Sequence, residues 1–278
     1  MIVSTAPDIR LDEGVVRAYR EKGAACLRGL IEPQWLTLLA KGIERNLGAP
    51  GRNARHYNKG KGTGFFFADA AMWQSVPEYR EFLFHSPAAA IAGRLMGARE
   101  VHIFFDNIMI KDAGTTAPTP WHHDLPYVPM AGGPMCNLWL ALDSVPRKNS
   151  PEYVAGSHRW GQSFRPRSFF EPEKDYDAGE FTSSALRPIP DIDARRNEFE
   201  IMSWAMEPGD IQAFDGMVVH GAPGNTTGHR RRAFVSRWAG SGAVFADRGP
   251  ETYPVFPECG LGAGEALGGP AFPIVWRE

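Results

Sequence analysis

The spacing of the hydrophobic residues changes near residue 100 of this chain. Before that point, apolar side chains recur every three or four positions, which is the spacing of a helix with one buried face. Pro33 suits the first turn of such a helix, and Gly97 suits the end of one. The pattern predicts helices over residues 12–21, 33–48, 76–85 and 87–96, and a mobile, basic, glycine-rich surface loop over residues 51–64.

Beyond residue 100 the apolar residues alternate with other residues or form short runs between turn residues, as β-strands do. The run 136–142 is the clearest, because its three leucines fall on one face and Asn137, Trp139 and Ala141 on the other. Strands of this length and number predict a β-sandwich or a jelly roll. We expect strands over residues 101–110, 136–142, 211–219 and 233–238.

The predicted elements form a single domain over residues 1–278. Its parts are a helical region over about 1–100, a jelly-roll core over about 101–240 and a tail over 241–278. An irregular insert over residues 164–197 separates the early strands from the late ones. The tail is rich in glycine and proline, so we expect it to wrap the surface and to bury Phe272, Val275 and Trp276.

Composition limits the class of protein. A hydrophobic content of 43% predicts a sizeable packed core, and a formal net charge of −2 lacks the basic excess of a nucleic-acid binder. Three widely spaced cysteines indicate free thiols in a reducing compartment. Neither a signal-peptide pattern nor an apolar run of about 18 residues is visible. We therefore expect a soluble cytoplasmic protein without membrane or nucleic-acid partners, while its oligomeric state stays open.

Two histidines and one aspartate form the strongest chemical motif. His122 and Asp124 are two positions apart, so on a strand their side chains point the same way, while His123 points to the opposite face. His220 follows a distant strand, and only a folded β-scaffold would bring it near the pair. Two imidazoles and a carboxylate suit Fe(II) with open coordination positions, although zinc hydrolases use a similar set.

An arginine follows His220 by eleven residues. Arg231 shares a strand face with the small residues Ala233 and Val235, which places its guanidinium inside the predicted barrel. A buried charge needs a partner, and the far carboxylate of 2-oxoglutarate would supply one through bidentate hydrogen bonds. A structural salt bridge is the alternative. Trp139, which shares its face with Asn137, is expected either to wall the co-substrate pocket or to pack in the core.

These residues belong to a longer ordered pattern. Its segments are Trp121 to Asp124, Leu138 to Asp143, Gly156 to Trp160, Pro208 to Asp210 and His220 to Arg231. The chain resembles the phytanoyl-CoA dioxygenase family of Fe(II)/2-oxoglutarate oxygenases, chiefly over residues 101–240. One departure is Asn149 at a turn where members usually carry glycine. Because asparagine tolerates a left-handed backbone better than other non-glycine residues, we expect that turn to survive.

The resemblance implies a fold and an activity. It implies a mainly β fold with a double-stranded β-helix (jelly-roll, cupin-like) core and flanking N-terminal helices. It also implies iron bound by His122, Asp124 and His220, with 2-oxoglutarate on Arg231 near Trp139 and Asn137, and O2 as the second co-substrate. Related halogenases replace the metal-binding carboxylate with alanine or glycine, so Asp124 favours a hydroxylase that releases succinate and CO2.

The substrate is less well defined by the sequence. We expect a small organic molecule that contacts Phe105, Asn107, His123 and Tyr127. The basic residues of the loop 51–64 either receive an anionic substrate or form a solvated surface. Two alternatives to the oxygenase stay open: a jelly-roll metalloenzyme that does not use 2-oxoglutarate, and a noncatalytic small-molecule-binding jelly roll.

Overall fold

A computed structural model describes residues 9–57, 64–166, 169, 186–249 and 252–278. Four α-helices lie close to their predicted positions. The first is capped by the Asp12 carboxylate, which accepts the backbone N–H groups of Gly14 and Val15, and it ends at Gly23 with a left-handed backbone (φ 84°). The helices are α1 (Glu13–Lys22), α2 (Pro33–Gly48), α3 (Pro77–His85) and α4 (Ala88–Met96).

Fourteen β-strands are assigned within the described residues. They are β1 (Ala24–Leu27), β2 (Arg55–His56), β3 (Phe66–Ala70), β4 (Glu100–Lys111), β5 (Thr119–His122), β6 (Met130–Gly132), β7 (Met135–Ala141), β8 (Glu152–Val154), β9 (Ile201–Met202), β10 (Ile211–Asp215), β11 (His220–Ala222), β12 (Arg231–Gly240), β13 (Ala243–Phe245) and β14 (Ile274–Arg277).

Two antiparallel sheets build the core. The major sheet has the order β1-β10-β7-β12-β4-β3-β2, with β14 also paired to β4, and the minor sheet has the order β5-β11-β8-β9. Strands β6 and β13 form a separate pair. This is the predicted double-stranded β-helix, mainly β with flanking helices. All strand pairs are antiparallel, so hydrophobic alternation along each strand separates an inner face from an outer face.

Each face of the major sheet packs against a different partner. On the outer face, Leu138, Leu140 and Phe234 pack against the four helices in the largest hydrophobic cluster. On the inner face, Trp139 and Val235 pack with Tyr153 of the minor sheet. The inner layer is interrupted by a cavity, and the polar residues of interest lie there.

The first hundred residues are less helical than expected. Strand β1 pairs with β10, and β3 pairs with β4, so both belong to the major sheet. Strand β2 lies inside the stretch that was predicted to be a surface loop, and it pairs with β3; residues 58–63 of that stretch lie outside the described residues. The sheet therefore recruits strands from outside the predicted core boundaries 101–240.

Three further predictions need correction or completion. The predicted strand 211–219 ends at Asp215, because Asp215 and Gly216 form a turn in which the Asp215 carboxylate accepts the Met217 N–H at 2.8 Å. His220 then begins a strand of the other sheet.

The tail buries Phe272, Val275 and Trp276 as expected, but it also contributes β14. Much of the insert 164–197 (167–168 and 170–185) lies outside the described residues.

Asn149 does not have the expected left-handed backbone. Asn149 ends the 3-10 helix Arg147–Asn149. Among the described residues, the positive φ of a non-glycine residue is found at Ala71, so the φ of Asn149 is negative. The side-chain amide of Asn149 instead donates to the Gly224 carbonyl and the Thr226 hydroxyl.

The three cysteines are free thiols, as predicted. Within the described part of the chain, none of the helices has the length and apolar character needed to cross a bilayer.

Candidate metal and co-substrate site

Two neighbouring strands of the minor sheet bring the histidines and the aspartate together. His122 at the end of β5 pairs in register with His220 at the start of β11, and their ring centroids are 4.2 Å apart. Asp124 follows two residues after His122, and its Oδ1 lies 3.4 Å from Nε2 of His122 and 4.0 Å from Nε2 of His220. One ligand atom from each side chain lies within 4.8 Å of the others, which is close enough to hold one metal ion.

Backbone carbonyls orient both imidazole rings. Nδ1 of His122 lies 2.8 Å from the Pro120 carbonyl oxygen, and Nδ1 of His220 lies 3.0 Å from the Val218 carbonyl oxygen. Each carbonyl oxygen accepts the hydrogen bond that Nδ1–H donates, so this contact selects the tautomer whose Nε2 lone pair is free. Both free Nε2 atoms face the Asp124 carboxylate, as metal ligands must.

The electrostatics of the cluster also favour a cation. Burial alone would raise the pKa of the Asp124 carboxyl, but the Arg237 guanidinium and both histidines outweigh it and hold that pKa well below its ordinary value. Burial, together with the charge of His122, lowers the pKa of His220 to about 3. Near neutral pH the cluster therefore offers an ionised carboxylate and a neutral His220 imidazole, the protonation states that metal binding needs.

Arg231 reaches the same cavity from the first position of β12. The residue is 5% exposed, and its Nη1 donates to the Asn149 carbonyl oxygen. Burial lowers the pKa of its guanidinium to about 10, and the described residues supply no carboxylate to pair with it. The flanking arginines point outward: Arg230 pairs with Asp112 and Arg232 with Asp143.

A second cation lies beside Arg231. Lys111 of β4 pairs in register with Arg231, and it is fully buried. Its ammonium donates to the carbonyl oxygens of Ala117 and Pro223 and to Oγ1 of Thr119. Burial, with Arg231 as a further cause, holds the pKa of Lys111 well below its ordinary value. Lys111 does not line the cavity, so the buried guanidinium of Arg231 is the group that suits this end of the cavity to a carboxylate.

The cavity has a volume of about 310 Å³ and lies between the two sheets. Its wall includes all three residues of the triad, Arg231 and Trp139, together with Phe105, Asn107 and Tyr127 from the predicted substrate set. The three expected metal ligands and most of the expected co-substrate and substrate residues therefore meet at one cavity.

Two predicted site residues lie elsewhere. His123 follows the end of β5 and is buried away from the triad, where its Nε2 accepts the Phe164 N–H at 2.9 Å, and burial lowers its pKa to about 4. It does not line the cavity, which corrects its assignment as a substrate contact. Asn137 shares the inner face of β7 with Trp139 but lies beyond the cavity wall, and its amide has no hydrogen-bond partner among the described residues.

Sequence reasoning missed Arg237 of β12. Its Nη2 donates to Oδ2 of Asp124 at 3.3 Å, and its guanidinium lies 4.9 Å from the centroid of the Phe105 ring. The signal was present, because Arg237 lies six positions after Arg231 and so shares its strand face. Only the structure shows that this face brings Arg237 to Asp124.

The segment Gly156 to His158 holds the backbone that precedes His220. Gly156 has a left-handed backbone (φ 75°), and the next residue, Ser157, donates from Oγ to the Val154 carbonyl oxygen at 2.7 Å. The same Oγ accepts the N–H of Val219 at 2.8 Å. Ser157 thus fixes the backbone immediately before His220.

Comparisons with known proteins agree with this geometry. A family model described as phytanoyl-CoA dioxygenase (PhyH) matches residues 19–233, whereas no curated protein sequence matches the chain. The fold is similar to that of the carbocyclase SnoK from nogalamycin biosynthesis, with 24% identity over 95% of this chain and 96% of that one and a TM-score of 0.75.

Two further solved structures carry the co-substrate. The epimerase SnoN in complex with Fe³⁺, alpha-ketoglutarate and nogalamycin RO is 20% identical over 95% of this chain and 98% of that one, with a TM-score of 0.75. EctD from S. alaskensis, with 2-oxoglutarate and 5-hydroxyectoine, is 16% identical over 86% and 80% of the two chains, with a TM-score of 0.63. Because the family model covers most of its length, the chain belongs to the phytanoyl-CoA dioxygenase family of Fe(II)/2-oxoglutarate-dependent oxygenases.

Proposed function

We propose that this protein hydroxylates a C–H bond of a small organic molecule, with conversion of 2-oxoglutarate and O2 to succinate and CO2. His122, Asp124 and His220 hold Fe(II), and Arg231 binds the 5-carboxylate of 2-oxoglutarate beside Trp139. The observation that carries the proposal is the meeting of the triad and the buried Arg231, which has no carboxylate partner among the described residues, at one cavity.

The donor set fits the metal. Two imidazole nitrogens and one carboxylate oxygen would hold Fe(II) and would leave room on it for a chelating co-substrate and O2. When bound, the iron supplies the oxidising chemistry that breaks a C–H bond. The presence of Asp124 supports hydroxylation over halogenation, because a carboxylate fills the position that a halide would need.

The protein's own task is to position the reactants and exclude water. Carbonyl-bound Nδ1 atoms keep the rings of His122 and His220 aimed at one point, and Arg237 holds the second oxygen of Asp124. Arg231 fixes the far end of the co-substrate, and Lys111 pairs in register with it on β4. Phe105, Asn107 and Tyr127 remain to contact the substrate.

The proposal is tested with Fe(II)-loaded protein supplied with 2-oxoglutarate and oxygen, by measuring succinate with a panel of small carboxylates, amino acids, acyl-CoAs and terpenoid- or polyketide-like molecules. We expect substrate-stimulated succinate, loss of iron binding and activity in Asp124→Ala, and retention of both in Asp112→Ala. Asp112 is a matched control, because it pairs with Arg230 at the surface.

Other outcomes separate the alternatives. Failure of 2-oxoglutarate to bind the Mn(II)-loaded protein in a calorimetric titration would support a metalloenzyme that does not use this co-substrate. Binding without any succinate formation across the panel would support a noncatalytic binding protein. Full activity in Asp124→Ala would remove that carboxylate from the site.

A further inference from the structure

The cavity has an end that the metal and the co-substrate do not account for. Arg231 and Arg237 lie on the same face of β12, six residues apart, which is roughly 20 Å along an extended strand. Asp124 contacts Arg237, whereas the co-substrate end is defined by Arg231. The part of the cavity near Arg237 is therefore left for the substrate.

Arg237 is only partly satisfied by Asp124. One nitrogen, Nη2, donates to Oδ2 of the aspartate, while Nε and Nη1 are buried without a hydrogen-bond partner in the described structure. The carboxylate contact is also shared, because Oδ1 of Asp124 faces the two histidines. A buried guanidinium with unused donors is costly, and an oxygen-bearing anion beside it would lower that cost.

Tyr253 connects a second arginine of the wall with Arg237: burial raises the pKa of the Tyr253 hydroxyl, and the nearby charges of Arg55 and Arg237 both oppose that rise. Arg55 of β2 lines the wall, and its guanidinium is 5.2 Å from the centroid of the Tyr253 ring. Its Nη1 donates to the Ala54 carbonyl oxygen, and it forms no ion pair with the described carboxylates. The Tyr253 hydroxyl donates to the Asn53 carbonyl oxygen at 3.0 Å, which fixes the ring beneath Arg55.

The charges of the wall do not balance. Among the described residues, its charged groups other than histidine are the cations Arg55, Arg231 and Arg237 and the anion Asp124. A ferrous ion and the doubly charged co-substrate cancel each other. Two positive charges therefore remain in excess once both are bound, in a site where burial strengthens electrostatic interactions.

The remaining wall at this end is aromatic. Phe105 from β4, Tyr127 from the loop after β5 and Tyr253 from the tail all line it. Three separate parts of the chain thus supply ring faces or edges to one space. Such walls favour flat, ring-containing ligands through offset or edge-to-face contacts.

We propose that the substrate is a ring-containing anion, a carboxylate or phenolate on a planar framework, whose charged oxygen lies between Arg237 and Arg55. This inference rests on the proposed function, because it assumes that 2-oxoglutarate occupies the Arg231 end. Arg237 has two roles in it: it holds Asp124, and it selects substrates that carry a negative charge.

The test uses three probes of matched shape on Mn(II)-loaded protein saturated with 2-oxoglutarate: 2-naphthoate, its neutral analogue 2-naphthamide, and the saturated anion decahydro-2-naphthoate. Calorimetry gives the Kd of each. We expect 2-naphthoate to bind at least tenfold more tightly than 2-naphthamide and at least threefold more tightly than the saturated anion. Equal Kd values for the first two would overturn the anion assignment, and equal values for the two anions would overturn the planar-ring assignment.

Variants test which residues bind the carboxylate of the probe. Arg237→Gln and Arg55→Gln are expected to reduce the preference for 2-naphthoate over 2-naphthamide to less than threefold, and Arg237→Lys to keep part of it. Arg52→Gln is the matched control, since Arg52 pairs with Glu258 at the surface and does not line the cavity. An unchanged preference in both glutamine variants would place the anion elsewhere and contradict the proposal; a purely structural role of Arg237 at Asp124 would not alter this ratio.

Failure of this inference differs from failure of the proposed function. If wild-type protein does not bind 2-oxoglutarate, the oxygenase assignment itself is wrong. If 2-oxoglutarate binds but naphthoate and naphthamide then bind alike, only the substrate class is wrong.

Discussion

Replacing Arg231 with methionine should separate binding of the co-substrate from stability of the fold. The guanidinium is buried, and the described residues give it one carbonyl partner and no carboxylate. Loss of one partner from a buried, hydrogen-bonded ion pair costs about 2–5 kcal/mol. At about 1.4 kcal/mol per factor of ten, the Kd of 2-oxoglutarate should rise by roughly 30-fold to several thousandfold in Arg231→Met.

The same change should cost the unliganded protein little stability. Methionine removes the hydrogen bond to the Asn149 carbonyl oxygen, worth about 1 kcal/mol, but it also removes a buried charge that burial already disfavours. We expect the melting temperature without ligand to stay within a few degrees, while the rise caused by 2-oxoglutarate disappears. Calorimetric titration and thermal unfolding of Mn(II)-loaded protein measure the two effects.

Arg232→Met provides the control for this experiment. Arg232 is the next residue of the same strand, but it faces outward and pairs with Asp143. Its loss should leave the Kd of 2-oxoglutarate within about twofold, because neither Arg232 nor its partner Asp143 lines the cavity. A change below threefold in Arg231→Met, or equal weakening in both variants, would refute the assignment of the co-substrate carboxylate to Arg231.

Two more predictions concern buried titratable groups. Lys111→Met removes the buried amino group beside Arg231 and its hydrogen bonds to Ala117, Thr119 and Pro223, so we expect the Kd of 2-oxoglutarate to rise about 5- to 30-fold, equivalent to about 1–2 kcal/mol, in the same titration; an unchanged Kd would confine carboxylate binding to Arg231. Burial raises the pKa of Asp106 to about 7, against backbone donors such as the Trp73 N–H. Because the pKa of this carboxyl is higher in the folded protein than in the unfolded chain, its contribution to stability is fully present below about pH 4. That contribution is lost as the pH rises to about 7, and the free energy of unfolding falls by up to about 4 kcal/mol. Urea unfolding of Asp106→Asn should therefore show a flatter pH dependence between pH 4 and 8 than the wild type, and parallel curves would contradict the assigned shift.

The sequence predicted the parts of the fold that repeat a clear period. Strand β7 alternates leucine with other residues, and β12 has Arg231, Ala233 and Val235 at every second position. The side chains that point inward could therefore be assigned from the sequence of each strand. The metal triad followed from the same rule, because a His-x-Asp pair on one strand must project to one side. His123 followed the rule too: it points away from His122 and Asp124, although it had also been assigned to the substrate.

The errors occurred where a segment is short or where its partner is remote. Strand β1 has four residues, and a run of that length is compatible with helix, strand or loop until β10 pairs with it. The end of β10 was readable, since Asp215 and Gly216 are turn residues, but the apolar residues that follow favoured one longer strand. Pairing of β2 with β3 likewise depends on tertiary contacts that no local pattern contains.

The positions of the site residues depend on side chains that point to the opposite face of the same strands. On β12, Phe234 points outward, with its ring centroid 4.9 Å from that of Tyr79 and 5.4 Å from that of Phe82 in the helical layer. A slip of one residue would move this aromatic side chain into the cavity and turn Arg231 and Arg237 into the hydrophobic layer, where an unpaired charge is prohibitive. The register of the strand is therefore set by apolar packing against α3. The two arginines, one assigned to the co-substrate and one to the substrate, are held in place by residues that never contact either molecule.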